Sequence, residues 1–302
     1  MRRASESRGA ARPAIMLAGL LTLAVLLVAG CAGGKSGYQY DWSIFFRSVF
    51  QPSGLILNGV WLTLVIAVIS QFIGVVLGVL GALGKMSRRR TPRTIAGLYV
   101  WFFRGTPLLV QISFVFYGLG VAGIYRWPPI DILGLHIPGE VQAGIFALGI
   151  NEGAYMSEIV RAGILSIDPG QLEAARSLGM TFGKAMRRII LPQAARVIVP
   201  PLGNEFNNML KTTSLLVIIS VPELYVTFSR MNASGSTVFH PFELFLAAAV
   251  WFLLLTTAWG LVQSRIEARL GRGTGGVQPP SLRERLIGLR GQPESASILG
   301  GH

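Results

Sequence analysis

The 302-residue chain has only one cysteine, three histidines and few charged residues. One cysteine excludes a disulfide framework and a zinc site made of several cysteines, and the scattered histidines make no metal-binding spacing. Charged residues form 14% of the chain, whereas a soluble domain carries roughly 25%. Because 51% of the residues are hydrophobic, most of the chain is expected to avoid water. We therefore expect an all-α polytopic membrane protein that holds no metal.

Six apolar segments are candidates for membrane-spanning helices, since a helix needs about 20 apolar residues to cross the hydrocarbon core. They are residues 14–30, 54–84, 95–123, 141–164, 197–221 and 242–262. The first is short, and the third is interrupted at residues 104–107. Gly74 and Gly78 in the second form a GxxxG pair, which favours close helix packing inside the chain over a contact between two copies.

The positions of the basic residues predict the orientation, because Lys and Arg are retained on the cytoplasmic side of a membrane. Most of the 27 Lys and Arg residues lie in residues 1–13, 85–94, 161–196 and the tail from residue 265. The alternate loops carry only Lys35, Arg47, Arg126 and Arg230. The four basic regions, including the C-terminus, are therefore predicted to be cytoplasmic.

The first 31 residues have a basic start, an apolar stretch and the ending Val-Ala-Gly-Cys, which is the layout of a secretory signal. The ending resembles a bacterial lipobox and makes Cys31 a candidate for lipidation; the alternative is an uncleaved first helix. Residues 32–53 are expected to form an extracytoplasmic linker. Residues 29–36 fit a relaxed phosphate-loop pattern, but the required strand before it and helix after it are not predicted, so no nucleotide site is expected.

The most informative stretch is residues 168–192, whose sequence predicts two short helices. Asp168 is a favourable N-cap with Pro169 at the first helical position, and Gly179 is expected to end that helix in a left-handed conformation. Thr181 then caps a second helix, which is expected to end before Pro192. The first helix has an apolar side made of Leu172, Ala175 and Leu178. Membrane segments flank the stretch closely, so a DNA-binding helix-turn-helix is not expected.

The same stretch resembles the EAA loop of binding-protein-dependent ABC importer permeases, with Glu-Ala-Ala, a glycine and Ile-x-Leu-Pro at the full spacing. The matching residues are Glu173, Ala174, Ala175, Gly179, Ile189, Leu191 and Pro192. The resemblance implies that residues 166–195 are a cytoplasmic coupling loop that docks on a separate ATPase subunit. It also implies a transport subunit rather than an enzyme, with no cofactor bound by this chain.

Residues 103–111, 155–164 and 210–215 resemble the polar amino acid permeases of that family, which often carry Asn or Asp at the position of Thr212. The resemblance spans residues 54–265. It implies a type I ABC importer permease core of five transmembrane helices in the bacterial inner membrane, in addition to the N-terminal apolar segment. Residues 266–302 are rich in Gly, Pro and Ser and are expected to form a disordered cytoplasmic tail.

The function implied by the resemblance is import of a polar amino acid into the cytoplasm. The implied partners are ATP-binding cassette subunits, a second permease (identical or homologous), an extracytoplasmic solute-binding protein and membrane lipid, with no nucleic acid. The alternatives are a permease for another small polar solute and an ion channel, which would not need the EAA pattern.

Polar residues inside two apolar segments are candidates for the substrate pathway, because such residues in a membrane usually mark a pathway or a pair. They are Asn204, Asn208, Lys211 and Thr212 in one segment, and Asn151, Glu152 and Tyr155 in another. Lys211 is expected to meet a substrate carboxylate, and Glu152 an ammonium group. The alternative for Lys211 is an ion pair with Glu158 or Glu205 that only locks the helices together.

Overall fold

The computed structural model describes residues 38–132, 134–234, 237 and 239–270. The chain divides into two units, Met1–Asp41 and Trp42–His302, and all the elements named below belong to the second. The predicted N-terminal signal or helix and the lipidation candidate Cys31 lie outside the described residues. The predicted disordered tail at residues 266–302 requires a correction at its start, because residues 266–270 continue the last long helix, and the rest of it lies outside the described residues.

Helices make up most of the described residues of the second unit. In chain order they are α1 (Trp42–Phe50), α2 (Gly54–Met86), α3 (Arg90–Gly105), α4 (Leu108–Ser113), α5 (Leu119–Val121), α6 (Gly139–Leu165), α7 (Pro169–Ser177), α8 (Phe182–Ala185), α9 (Leu191–Thr212), α10 (Leu224–Ala233) and α11 (Pro241–Leu270). Two π-helical turns, Phe114–Gly118 and Met186–Ile190, join α4 to α5 and α8 to α9, and a 3-10 helix, Thr213–Ile219, extends α9. Strands β1 (Ile130–Ile132) and β2 (Leu135–Ile137) form a small antiparallel hairpin with Ile130 opposite Ile137. The predicted all-α class is confirmed.

Two of the helices are both long and apolar enough to cross a membrane. They are α2, with 33 residues and a mean hydropathy of 2.5, and α11, with 30 residues and a mean hydropathy of 2.0. Two further spans result if each bent pair counts as one: α3 with Leu108–Val121, bent by 105°, and Phe182–Ile219 with α10, bent by 45°. The first bend lies at the interruption predicted at residues 104–107.

Helix α6 supplies the fifth long element of the predicted core, although it is less apolar than α2 and α11. Its 27 residues give a length of about 40 Å at 1.5 Å per residue. More than half of them are buried, many being glycine or alanine. Because most of α6 is covered by other helices, the bilayer does not require it to be strongly hydrophobic.

Glycines of α2 allow α6 to approach closely, as the GxxxG pair predicted. A Cβ added at Gly74 would lie 2.5 Å from Glu152 Cγ, and one added at Gly78 would overlap Met156 Cβ. The pair is therefore used for packing within the chain, and Gly74 brings the backbone of α2 against Cβ and Cγ of Glu152.

The predicted linker at residues 32–53 requires a correction. Residues Trp42–Phe50 form the helix α1, which packs against an apolar cluster that includes Ile56 of α2 and Leu244 of α11. The indole Nε1 of Trp251 also donates to Ser48 O at 3.1 Å. These contacts with distant residues stabilise a helix that is too short to be predicted from its own sequence.

Candidate coupling loop and substrate cavity

The start of the predicted coupling loop folds as its sequence indicates. Asp168 caps α7, and its Oδ1 accepts a hydrogen bond from Gly170 N at 2.8 Å. Gly179 has a φ of 77°, which is the left-handed conformation that glycine adopts without strain. Thr181 is the N-cap residue of α8. The two predicted helices and the turn between them are therefore confirmed.

The end of the loop differs from the prediction, because the second helix does not stop before Pro192. The π-helical turn Met186–Ile190 leads directly into α9, so the helical run continues through this proline. Within that turn Leu191 N donates to Met186 O, and Pro192 occupies the first turn of α9. A proline is tolerated at that position because its missing N–H is not needed there.

An apolar cluster holds the loop against the ends of α2 and α6. Its buried members are Ala82, Val160, Ile164, Ile190 and Ala194. Ile189 and Leu172 pack against this cluster, and Ala175 is buried as well. Ala175 and Ile189 of the EAA pattern therefore contribute to anchoring the loop, whereas a docking role requires exposed residues.

The exposed end of the loop is a compact surface that we name the coupling tip: Glu173, Ala174, Leu178, Gly179 and Phe182. Leu178 is 84% exposed and Phe182 is 57% exposed. Leu178 thus lies beyond the helix of which it was predicted to form the apolar side, because α7 ends at Ser177 and the chain turns there. Phe182 was not predicted from the sequence as a docking residue. Its position directly after the N-cap residue Thr181 was the signal that could have identified it. Leu191 and Pro192 are exposed outside the tip.

An ion pair between Lys85 and Glu158 connects α2 to α6 near the coupling loop. Glu158 accepts hydrogen bonds from Lys85 Nζ and from Arg161 Nη2, the latter at 2.9 Å. The carboxylate of Glu158 is therefore paired with these two cations. The alternative pairing of Lys211 with Glu158 is wrong, and within the described residues no ion pair joins Lys211 to Glu205.

A cavity of about 200 Å³ lies between α6, α9 and the bend after α3; we name it the polar cavity. Its lining residues are Thr106, Leu108, Leu148, Asn151, Glu152, Tyr155, Glu205, Asn208, Met209 and Thr212. Five of the seven predicted pathway residues are among them: Asn151, Glu152, Tyr155, Asn208 and Thr212. A larger cavity of about 470 Å³ lies nearby and is lined almost entirely by apolar residues.

Among the residues that the structure describes, two carboxylates line the polar cavity and no Lys or Arg does. Glu152 is only 7% exposed, and its Oε1 has no hydrogen-bond partner in the described structure. The guanidinium of Arg104 lies 5.2 Å from the ring centroid of Tyr155 in a cation–π arrangement. A buried carboxylate oxygen without a partner is costly unless a cation satisfies it. The cavity is therefore suited to a group with positive charge.

Asn204 and Lys211 do not reach the polar cavity, which corrects their predicted place. Asn204 Oδ1 accepts a hydrogen bond from Gln263 Nε2 of α11 at 3.0 Å. Lys211 lines a separate, mainly apolar groove with residues such as Tyr225 and Phe245. At about 100° per residue, positions 204 and 211 are each rotated by roughly 80–100° from Thr212 around the helix axis. The four predicted pathway residues of α9 therefore cover too wide an arc to face one cavity.

The bend between α3 and α4 is stabilised by two buried amides. Gln111 Nε2 donates to Thr106 Oγ1 at 2.7 Å and to Phe103 O at 2.9 Å. Asn151 Nδ2 donates to Gln111 Oε1 at 3.0 Å and to Phe103 O at 3.1 Å. Asn151 thus forms a hydrogen bond with a backbone carbonyl at the break between α3 and α4, and it also lines the polar cavity. The contributions of Thr106 and Gln111 were not predicted, although both lie in a stretch that carries the resemblance.

Long apolar helices around a polar cavity, with an exposed helical loop at one end, define a membrane-embedded transport subunit. The chain belongs to the family described as binding-protein-dependent transport system inner membrane component, which matches residues 74–272. The predicted family is therefore confirmed. The chain is a multi-pass inner-membrane protein and a transport component of an ABC importer, in which ATP is hydrolysed by a separate subunit.

Individual relatives agree with this assignment. The arginine transport system permease protein ArgU of Corynebacterium glutamicum is 37% identical over 240 residues, which cover 78% of this chain and 73% of the relative. The L-cystine transport system permease protein TcyB of Bacillus subtilis is 36% identical over 236 residues, covering 78% and 94%. The crystal structure of an amino acid ABC transporter with histidines contains a chain that is 37% identical, with a TM-score of 0.66; the match covers 77% of this chain and all of that one.

Proposed function

We propose that this chain forms the pathway through which a polar amino acid with a positively charged group enters the cytoplasm. The observation that carries the proposal is the carboxylate of Glu152, which is buried, lacks a partner at Oε1 and lines the polar cavity. The names of ArgU and TcyB, which refer to arginine and cystine, support an amino acid as the substrate.

The chemistry of the cavity favours the ammonium or cationic end of the substrate. Glu152 and Glu205 both line it, and two carboxylates attract a cation and repel an anionic side chain. Asn208 and Thr212 offer neutral hydrogen-bonding groups to the rest of the molecule. The proposal does not keep the prediction that Lys211 and Glu152 bind the two charged ends of one substrate, since Lys211 lines another groove.

The coupling tip is the surface on which the ATP-binding cassette subunit would dock. One helical run, from Phe182 through the π-helical turn to Thr212, leads from this tip to the polar cavity. A displacement of the tip on ATP binding would therefore be carried to Asn208 and Thr212. ATP would shift the population between inward- and outward-facing states because the two states bind it with different affinity.

The assembly that we propose contains a second permease, identical or homologous, together with a solute-binding protein that delivers the amino acid from outside. The basic residues of 85–94 and 161–196 favour a cytoplasmic location for the coupling tip and for the C-terminus.

The test is transport by the purified assembly in proteoliposomes, with arginine, glutamine and glutamate compared as substrates. We expect ATP-dependent uptake, with arginine or glutamine preferred over glutamate. Glu152→Gln is expected to raise the concentration for half-maximal uptake more than it lowers the yield of the assembly. Uptake without ATP would support a channel instead. Wild-type affinity in Glu152→Gln, or glutamate as the best substrate, would contradict the proposed cavity chemistry.

A further inference from the structure

Helix α1 precedes the first long helix and is too short to cross a membrane. Its nine residues span about 14 Å at 1.5 Å per residue, whereas the hydrocarbon core is about 30 Å thick. It lies beside the start of α2 and the start of α11. The opposite end of α2 packs against the coupling loop through Ala82 and Met86. Helix α1 is therefore at the end of α2 and α11 opposite the coupling loop.

The residues of α1 divide into three sectors around its axis. One sector packs on the protein and contains Ile44, Phe45, Ser48 and Val49. A second sector contains three exposed aromatic residues, Trp42, Phe46 and Phe50, which are 47%, 53% and 74% exposed. These three residues fall within an arc of about 80°, because each step of four residues advances by roughly 40°.

The third sector of α1 is polar. Ser43 and Arg47 are exposed and lie one turn apart, next to the aromatic arc on the side away from the packed sector. An aromatic strip beside a polar strip with a basic residue is the pattern of a helix that lies in the membrane interface. Trp is enriched at that depth, and an Arg side chain there reaches toward lipid phosphates.

The aromatic arc is continuous with exposed apolar surfaces of α2 and α11. Trp42 contacts Phe242, the second residue of α11, edge to face with ring centroids 6.0 Å apart. Phe242 is itself exposed, as are Leu55 and Trp61 near the start of α2. Only 11% of the apolar window of α11 is buried. Lipid in contact with the exposed face of α11 would therefore also reach the edge of α1.

We propose that α1 is an interfacial helix that inserts Trp42, Phe46 and Phe50 into the lipid of the membrane leaflet opposite the coupling tip, with Arg47 at the phosphates. The helix would fix the depth of the starts of α2 and α11 relative to that leaflet. This inference rests on the membrane location of the family and not on the proposed substrate.

The test measures the depth of individual positions in the assembled transporter, reconstituted in nanodiscs of phosphatidylethanolamine and phosphatidylglycerol. A nitroxide label is attached to Phe46→Cys, Phe50→Cys or Arg47→Cys, each on a Cys31→Ser background, since Cys31 is the only cysteine of the chain. Collisions with oxygen, which concentrates in lipid, are compared with collisions with a nickel chelate, which stays in water. Retained ATPase activity of the assembly shows that each labelled variant is folded.

We expect the ratio of oxygen to nickel collisions to be several-fold higher at positions 46 and 50 than at 47. Equal ratios at the three positions, with strong nickel collisions, would show that the aromatic arc faces water and would overturn the proposal. Low collision rates with both reagents at 46 and 50 would show that protein covers the arc, and this would overturn it equally. Two aromatic positions, one turn apart, are labelled separately, so that a local disturbance caused by one label does not decide the result.

Discussion

Gly74 of α2 lies directly against Glu152 of α6, so that a Cβ at position 74 would be 2.8 Å from Glu152 Cβ and 2.5 Å from its Cγ. The contact sets the position of the carboxylate that lines the polar cavity. It also explains why a helix facing lipid carries glycine at a buried position: only a missing side chain leaves room for the glutamate.

Gly74→Ala is expected to displace Glu152 and lower uptake, because overpacking at a tight contact costs about 1–3 kcal/mol. Gly260→Ala in α11 is the matched control, since no atom lies within 4 Å of a Cβ built there. Uptake and the amount of membrane-inserted protein are measured for both. Equal uptake by the two variants would show that the contact does not position the carboxylate.

Gly179 and Gly183 form a second pair of matched glycines, both in the coupling loop and both with open space where a Cβ would lie. Only Gly179 has a positive φ, so Gly179→Ala is expected to strain the turn by about 1–2 kcal/mol. Gly183→Ala, within α8, is expected to be neutral or slightly stabilising. Co-purification of the ATPase subunit should fall for Gly179→Ala alone, with normal membrane insertion in both. A loss in both variants would point to close approach of the partner and not to backbone strain.

Leu178→Ser is expected to weaken docking of the ATPase subunit, because an apolar side chain that is 84% exposed contributes nothing to folding and is available to a partner. Leu165→Ser, at an exposed position at the end of α6 and outside the coupling tip, is the control. We expect ATPase co-purification to fall for Leu178→Ser while thermal unfolding of both variants in detergent stays close to wild type. Unchanged co-purification would exclude Leu178 from the docking surface.

Lys211→Met is expected to leave the substrate concentration for half-maximal uptake unchanged, because Lys211 does not line the polar cavity. The comparison with Glu152→Gln distinguishes the roles of two residues that the sequence pattern predicted to bind the same substrate molecule. Uptake curves for both variants and the wild type provide the measurement. A rise in the half-maximal concentration for Lys211→Met, as large as for Glu152→Gln, would show that the lysine contacts substrate after all.

Features that depend on neighbours along the chain could be predicted from the sequence. The apolar runs, the N-cap at Asp168 and the left-handed Gly179 are of this kind, since hydrophobicity, capping and backbone freedom act within a few residues. The EAA spacing, and the helical faces on which Glu152 and Asn208 lie, could be predicted for the same reason. These features were sufficient to identify the family and to find five of the ten residues that line the polar cavity.

The remaining features depend on contacts between residues far apart in the sequence. Asn204 turns to Gln263 of α11, Lys211 faces a separate groove, and α1 is ordered by its contacts with α2 and α11. A periodic pattern gives the face of a helix but not which neighbour covers it, and a four-residue spacing drifts by about 40° at each step. The direction of each polar side chain, and hence the boundary of the cavity, is decided by the packing of helices against one another.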